Sequence, residues 1–156
     1  MSFEIIVCVK QVIDPEMHTS LFKIDSDTKK VVDSPGVAPI INGFDDNAVE
    51  AALQIKDQSG ANVTILSLGS HFALDVMKKP LAMGSDQLIL LQDDSFDNLD
   101  AYSTAFALSK GIQKIGSYDL ILCGRQASDW DNAQVPQGIA EFLDISCVTT
   151  AQKIDC

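Results

Sequence analysis

Short apolar segments alternate with helical patterns along this chain, and this alternation limits its fold more than any other feature. Four runs rich in apolar, often β-branched residues indicate buried strands at residues 3–9, 63–68, 88–91 and 120–123. Apolar residues recur at helical spacing between and after these runs, at residues 44–58, 71–83, 99–116 and 135–143. Strands that alternate with helices predict a mostly parallel sheet joined by right-handed crossovers.

The predicted fold is therefore α/β, with a three-layer α/β/α arrangement around a Rossmann-like sheet. We expect the first strand to lie in the centre, between the second and the fourth. Residues 21–25 and 31–33 flank a polar turn and predict a small β-hairpin inserted after the first strand. Residues 147–151 predict the beginning of a fifth strand. Pro80 lies inside the second helical stretch, where we expect it to kink or split the helix.

A length of 156 residues predicts one domain over residues 1–156, and 46% hydrophobic residues suffice for a globular core. The 11 basic and 22 acidic residues give a formal charge of −11. Affinity for long nucleic acids depends on cationic side chains at phosphates, so this charge argues against nucleic-acid binding. It leaves open a mononucleotide that is held by backbone amides.

No apolar run reaches the roughly 18 residues that a membrane-spanning helix needs, and the N-terminus lacks a signal-peptide pattern. We therefore interpret the protein as cytoplasmic, without membrane insertion. The cysteines stand at positions 8, 123, 147 and 156 without a C-x-x-C motif or a histidine cluster. This spacing indicates neither zinc nor a redox dithiol, and we expect Cys8 and Cys123 to be reduced, buried thiols.

The stretch from Tyr118 to Leu143 is the strongest candidate for a functional site. An apolar strand stops at Gly124, a polar loop follows to Asn132, and a helix begins after it. Unpaired N–H groups at a helix start bind phosphate oxygens well. Small or polar residues also end the first and second strands, and ligands of open α/β sheets bind at such strand ends. An ordinary surface loop is the alternative interpretation.

Four segments together resemble the beta subunit of electron-transferring flavoproteins. They occur in the family's order and at matching spacing, and they cover essentially the whole chain. They are residues 7–12 (VCVKQV), 41–45 (INGFD) with 48–52 (AVEAA), 81–86 (LAMGSD), and 123–129 (CGRQASD) continued by 133–135 (AQV).

The resemblance implies a subunit that pairs with an FAD-carrying alpha subunit and shuttles electrons between dehydrogenases and an acceptor. Such a subunit is an electron carrier rather than an independent catalyst. It holds AMP or, in electron-bifurcating members, a second FAD. The Ala133-Gln134-Val135 triplet looks more like the bifurcating members.

Carried over residue by residue, the resemblance implies a nucleotide site at the ends of the strands. In it, Cys8 and Lys10 border the adenine and ribose, and the 124–135 segment wraps the phosphate. Arg125 is the cation expected to meet phosphate charge or the alpha-side flavin. The implied set is Cys8, Lys10, Asn42, Phe44, Asp45, Leu68, Cys123, Gly124, Arg125, Gln126, Ala127, Asp129, Asp131, Asn132, Ala133, Gln134 and Val135.

The chain departs from the family pattern at several positions. Gly43 stands where the family commonly has proline, Pro136 follows the 133–135 triplet, and Trp130 occupies a usually small or acidic position. Family members also continue beyond this length, so we expect an N-terminal portion that lacks the C-terminal region. On that ground we expect this form alone to bind nucleotide weakly or not at all while it retains the fold, with a poorly ordered 125–131 loop.

Two other classes share the broad fold. A stand-alone adenine-nucleotide sensor of the universal-stress-protein type is the alternative function, although its glycine-rich signature is absent. An ATP-pyrophosphatase would need a Ser-Gly-Gly-x-Asp-Ser loop after the first strand, where this chain has Lys10 to Asp14 (KQVID). We find neither a nucleophile–base pair nor a metal cluster in the sequence.

Overall fold

The structure is a computed structural model that describes residues 2–27, 29, 31–32 and 36–154. Its strands are β1 (Glu4–Cys8), β2 (Gln11–Val12), β3 (Ile40–Ile41), β4 (Asn62–Gly69), β5 (Gln87–Gln92) and β6 (Leu120–Cys123). Its α-helices are α1 (Gly43–Ser59), α2 (Leu74–Met77), α3 (Lys79–Met83), α4 (Ala101–Ile115) and α5 (Val135–Leu143). Short 3-10 turns lie at Thr19–Leu21 and Asp94–Phe96.

Four strands form the main sheet, in the order β5-β4-β1-β6, and all neighbours run parallel. The central place of β1 between β4 and β6 is confirmed. Ile5, Ile6 and Val7 of β1 are at most 1% exposed. Such burial on both faces explains why this strand is a continuous apolar run rather than an alternating one.

Helices cover both faces of the sheet, so the three-layer prediction is confirmed. Because side chains alternate along a strand, β1 contributes to two separate cores. Ile5 and Val7 pack with the α1 residues Val49 and Ala52 on one face. On the other face the packed set from the sheet, α4 and α5 includes Ile6, Cys8, Leu66, Leu108, Ile112 and Ile139.

The ends of the helices follow local chemistry. Helix α1 stops at Gly60, which takes the left-handed conformation with φ 71°. Helix α4 starts after Asp100, whose carboxylate accepts a hydrogen bond from Ser103 N at 2.7 Å. Pro80 divides the predicted 71–83 helix into α2 and α3. It lies in the first turn of α3, where a missing N–H costs nothing.

The predicted fifth strand is wrong. Residues 147–151 form no ladder in the structure, and Val148 is 84% exposed. Thr150 has φ 54°, which lies in the left-handed region and is incompatible with a strand. The β-branched residues favour a strand only where a neighbouring strand and a packed face stabilise it.

The predicted hairpin is reduced to a single bridge between Ile24 and Val31, next to a hydrogen bond from Val32 N to Lys23 O at 2.8 Å. Part of its turn and residue 33 lie outside the described residues. Antiparallel pairing instead joins β2 to β3. Val12 and Ile41 in that pair are 3% exposed, whereas Ile24 is 59% exposed. Burial of apolar surface therefore stabilises the β2–β3 pair and not the hairpin.

Candidate functional site

The predicted site residues meet at one edge of the sheet, beyond the carboxyl ends of β1, β4 and β6. Parallel strands place these ends side by side, and helices α1 and α5 both begin there. Hydrogen bonds, ion pairs and one ring contact then connect residues that are up to 119 positions apart in sequence. The structure thus brings together the 8–10, 42–45 and 123–135 segments.

Asp45 joins the ends of two neighbouring strands. Its Oδ2 accepts a hydrogen bond from Lys10 N at 2.8 Å, and its Oδ1 accepts one from Gly124 N at 3.2 Å. The side chain is buried, and this burial raises the pKa of Asp45 to about 7, although hydrogen bonds from Lys10, Asn42 and Gly124 act in the opposite direction. The Asp45 side chain therefore links the backbone after β1 to the backbone after β6.

Gly124 is the residue at which β6 passes the start of α1. A Cβ added here would meet Asp45 Oδ1 and would lie 2.7 Å from both Asp45 N and Phe44 C. Two of these atoms belong to the backbone, so they cannot move aside as a flexible side chain would. Only glycine allows the strand and the helix to approach this closely.

Asn42 holds the loop after β6 at two points. It precedes α1 as the N-cap residue and is 1% exposed. Its Nδ2 donates to Gln126 O at 2.7 Å, and its Oδ1 accepts from Ser128 N at 3.1 Å. Ser128 was absent from the predicted site set, because only its backbone takes part.

Lys10 and Asp129 form an ion pair between the end of β1 and the loop after β6. Lys10 Nζ lies 2.8 and 2.7 Å from the two carboxylate oxygens of Asp129. The side chains are 43% and 28% exposed, so water screens this ion pair in part. The pair tethers the loop to the end of β1 in addition to the contacts of Asn42.

Arg125, the predicted cation of the loop, lies over the Phe44 ring with its guanidinium carbon 5.3 Å from the ring centroid. Its Nε donates to Gln126 Oε1 at 3.0 Å, and Gln126 Nε2 donates to Asp131 Oδ1 at 2.7 Å. Among the described residues, no acceptor bonds the terminal guanidinium nitrogens of Arg125. The ring and the amide orient the cation and leave its end free.

The turn into α5 presents backbone donors. Asp131 and Ala133 take left-handed conformations with φ 52° and 50°. In the described part of the chain, no acceptor bonds the backbone N–H groups of Gln134, Val135 and Gln137. These groups lie at the start of a nine-residue helix, whose dipole favours negative charge there. This donor set fits a phosphate group.

The remaining predicted residues divide between an apolar wall and the exposed loop. Leu68, Cys123 and Val135 pack partly buried against the cluster that contains Cys8. Cys8 and Cys123 are free thiols in register on neighbouring strands. A hydrogen bond with Cys123, followed by burial, raises the pKa of the Cys8 thiol well above its usual value.

Several loop residues have side chains that are fixed by no hydrogen bond or ring contact to a described residue. Asn132 and Gln134 are exposed, and no side-chain hydrogen bond joins either of them to a described residue. Trp130 is 73% exposed, and no described ring stacks on it. Over the described ranges no three His, Cys, Asp or Glu side chains group as metal ligands, and no helix is long and apolar enough to cross a membrane.

A sequence profile described as the electron transfer flavoprotein domain matches residues 30–156. The chain belongs to the electron transfer flavoprotein domain family. This confirms the resemblance that the four sequence segments indicated.

Individual members of the electron transfer flavoprotein family are similar over nearly the whole chain. One is the electron transfer flavoprotein subunit beta of Thermoanaerobacterium thermosaccharolyticum, 45% identical over 97% of this chain and 56% of that protein. Another is the subunit of the same name from Megasphaera elsdenii, 44% identical over 97% and 57%. The caffeyl-CoA reductase-Etf complex subunit CarD of Acetobacterium woodii is 42% identical over 96% and 56%. The chain thus spans about half the length of the curated relatives it matches.

Proposed function

We propose that this chain works as the beta-type subunit of an electron transfer flavoprotein and holds an adenine nucleotide at the carboxyl edge of its sheet. The open N–H groups at the start of α5 carry the proposal, because they fit a phosphate and no described acceptor uses them. The similarity to named beta subunits supports the electron-transfer role.

The residues that would hold the nucleotide differ in what they supply. The N–H groups of Gln134, Val135 and Gln137 would bind the phosphate. Lys10 would border the ribose, and half-buried Leu68 would offer an apolar surface to the base. Asp45 and Asn42 already use their polar atoms within the protein, so they would act mainly on the shape of the site.

AMP and FAD make different contributions when bound in such a site, since FAD supplies a redox centre and AMP supplies none. We favour FAD, because the Ala133-Gln134-Val135 triplet resembles the bifurcating members of the family. Release of the small molecule from protein purified with its natural alpha subunit decides this point. Two flavins per heterodimer would support FAD in this chain, whereas one flavin, from the alpha subunit, together with one AMP would support AMP.

We further propose that the chain is an electron carrier subunit rather than an enzyme, that it pairs with a flavin-carrying alpha subunit, and that the pair exchanges electrons with dehydrogenases. Size-exclusion chromatography after co-expression with the alpha subunit tests the pairing. Elution of the two chains as separate monomers at micromolar concentration would contradict it.

Binding of AMP and adenosine, compared by calorimetry, tests the phosphate assignment directly. Charge-assisted hydrogen bonds contribute about 1.5–3 kcal/mol each, so we expect AMP to bind at least about tenfold more tightly than adenosine. Adenosine serves as the matched control because it presents the same base and ribose. Equal affinities would show that the α5 amides do not hold the phosphate. The expectation that this form alone binds weakly stays a prediction, which the same titration measures.

A further inference from the structure

We infer that Asn42 is a positioning residue that fixes the phosphate loop through its side chain, and that it does so without contacting the nucleotide. This inference rests on the proposed function for its ligand. Its structural part, the clamp between Asn42 and the loop, stands on the geometry alone. The family resemblance implies that Asn42 lines the nucleotide site, whereas here Asn42 acts on the nucleotide through the loop.

The Asn42 side chain does not cap its own helix. An asparagine at an N-cap position ordinarily accepts a hydrogen bond from the second or third N–H of its own helix. Asn42 makes no such bond to α1. Its backbone carbonyl receives the first helical bonds, from Asp45 N at 2.8 Å and Asp46 N at 3.1 Å, while the side chain turns away.

The Asn42 side chain instead bonds the loop after β6. Both polar atoms of the amide bond the backbone of one short segment, the carbonyl of Gln126 and the N–H of Ser128. These two points lie two residues apart and on opposite sides of Ala127. An amide that is bonded at both its donor and its acceptor fixes the position and the orientation of the segment together.

The Asn42 side chain is shielded from solvent. Asn42 is 1% exposed, and its backbone N–H is also used, in a bond to Lys10 O at 2.9 Å. Its Nδ2 donates to Gln126 O and its Oδ1 accepts from Ser128 N, so described neighbours engage both polar atoms of the side chain within the protein. A side chain this buried and this occupied acts on a ligand through the loop it holds.

The segment that Asn42 clamps is bonded to the turn before α5. Ala127 O accepts from Asp131 N at 2.8 Å, and Asp131 begins the left-handed turn that leads to α5. The segment that Asn42 clamps is therefore bonded directly to the turn that presents the open N–H groups. Loss of the clamp would free the donors to move while the sheet and helices keep their packing.

Amide hydrogen exchange and AMP titration on the same set of variants test this role. In Asn42→Ala we expect exchange at the Ser128 amide to accelerate at least about tenfold, because the partly buried hydrogen bond that protects it is lost. We expect the Kd for AMP to rise at least about tenfold. Asn42→Asp keeps an acceptor for Ser128 N–H, so its Ser128 amide should exchange more slowly than that of Asn42→Ala.

Two control variants separate positioning from general stability. Val49→Ala removes a fully buried α1 side chain that packs in the core away from the loop, and it should lower the melting temperature while the Kd for AMP stays within about twofold. Asn47→Ala removes an exposed asparagine from the same helix and should change neither quantity.

Each outcome decides a different part. Unchanged Ser128 exchange in Asn42→Ala would overturn the clamp. An equal rise of Kd in Val49→Ala and Asn42→Ala would overturn the positioning role, since affinity would then follow stability. Absence of AMP and FAD binding by the complex with the natural alpha subunit would contradict the proposed function instead, and the exchange data would still support or overturn the clamp. If Asn42→Ala does not fold, Asn42→Asp takes its place in the test, because it lacks the Nδ2 donor. Exchange of the Ser128 amide in Asn42→Asp no faster than in the unsubstituted protein would show that the Nδ2 bond to Gln126 does not position the loop.

Discussion

Gly124 and Asp45 are joined by a hydrogen bond from the Gly124 N–H to Oδ1 at 3.2 Å, and this contact leaves no space for a side chain at position 124. The bond ties the end of β6 to the first turn of α1. It makes the edge of the sheet, where the site lies, depend on one residue without a side chain and one buried carboxyl group.

Substitution of Gly124 by alanine should lower the free energy of unfolding by about 1–3 kcal/mol, the usual cost of overpacking a rigid interior. The added Cβ would overlap backbone atoms of Phe44 and Asp45. Urea denaturation measures the change. Gly43→Ala is the matched control, because nothing lies within 4 Å of its Cβ position in α1. Alanine there should be neutral or stabilise by up to about 1 kcal/mol. Equal losses from both substitutions would contradict the steric argument.

The protonation of Asp45 should make stability depend on pH. Burial raises the pKa of Asp45 from 3.8 to about 7 in the folded chain. The folded state then binds this proton more tightly than the unfolded state does. Its contribution to stability is therefore complete below about pH 4 and is lost as the pH rises to about 7, a change of roughly 4 kcal/mol.

Asp45→Asn isolates this contribution, because asparagine does not titrate. The difference in unfolding free energy between the unsubstituted protein and Asp45→Asn should shrink by roughly 4 kcal/mol between about pH 4 and pH 8. Asp57→Asn, an exposed acid of the same helix, is the control and should show no such trend. A difference that does not vary with pH would show that Asp45 does not carry a raised pKa.

The Lys10–Asp129 ion pair should contribute little to stability. A double-mutant cycle with Lys10→Met and Asp129→Asn should give a coupling energy of about 0.2–1 kcal/mol, typical of partly exposed pairs. The coupling should fall further in about 1 M salt, where the screening length is about 3 Å. A coupling that salt leaves unchanged would mean that the pair is shielded from water.

Among the three cysteines that the structure describes, reaction with an alkylating reagent should follow the order of their exposure. Cys147 is exposed, Cys123 is half-buried and Cys8 is buried, and the pKa of Cys8 is raised by its hydrogen bond with Cys123 and by burial. Mass spectrometry at timed points should find Cys147 modified first and Cys8 only on unfolding. Cys147→Ser should remove the fast modification at that position. Early modification of Cys8 in the folded protein would contradict this order.

The order of the four main-sheet strands and of the helices between them could be predicted from the sequence, because burial in a covered sheet produces short apolar runs. The run from Ile5 to Val7 is apolar throughout, and α1 carries its acidic first turn and its terminal Gly60 in the chain itself. Local patterns failed where they needed a partner. Residues 147–151 have the composition of a strand without a packed face. Within the described part of the chain, one bridge at Ile24 and one hydrogen bond at Lys23 join residues 21–25 to residues 31–32.

The family motifs likewise indicated residues that the fold brings together at one edge of the sheet, but they could not assign the task of each side chain. By local rules Asn42 is an N-cap, Asp45 is a first-turn acid that complements the helix dipole, and Arg125 is a free cation. In the folded chain Asn42 clamps Gln126 and Ser128, Asp45 joins two strand ends, and Arg125 lies on Phe44. A helix and its caps depend on neighbours within a few positions, and a strand buried on both faces is a continuous apolar run, so the sequence records both. The partners of a buried polar atom are whichever groups the sheet brings near it, and here they lie between 35 residues earlier and 86 residues farther along the chain.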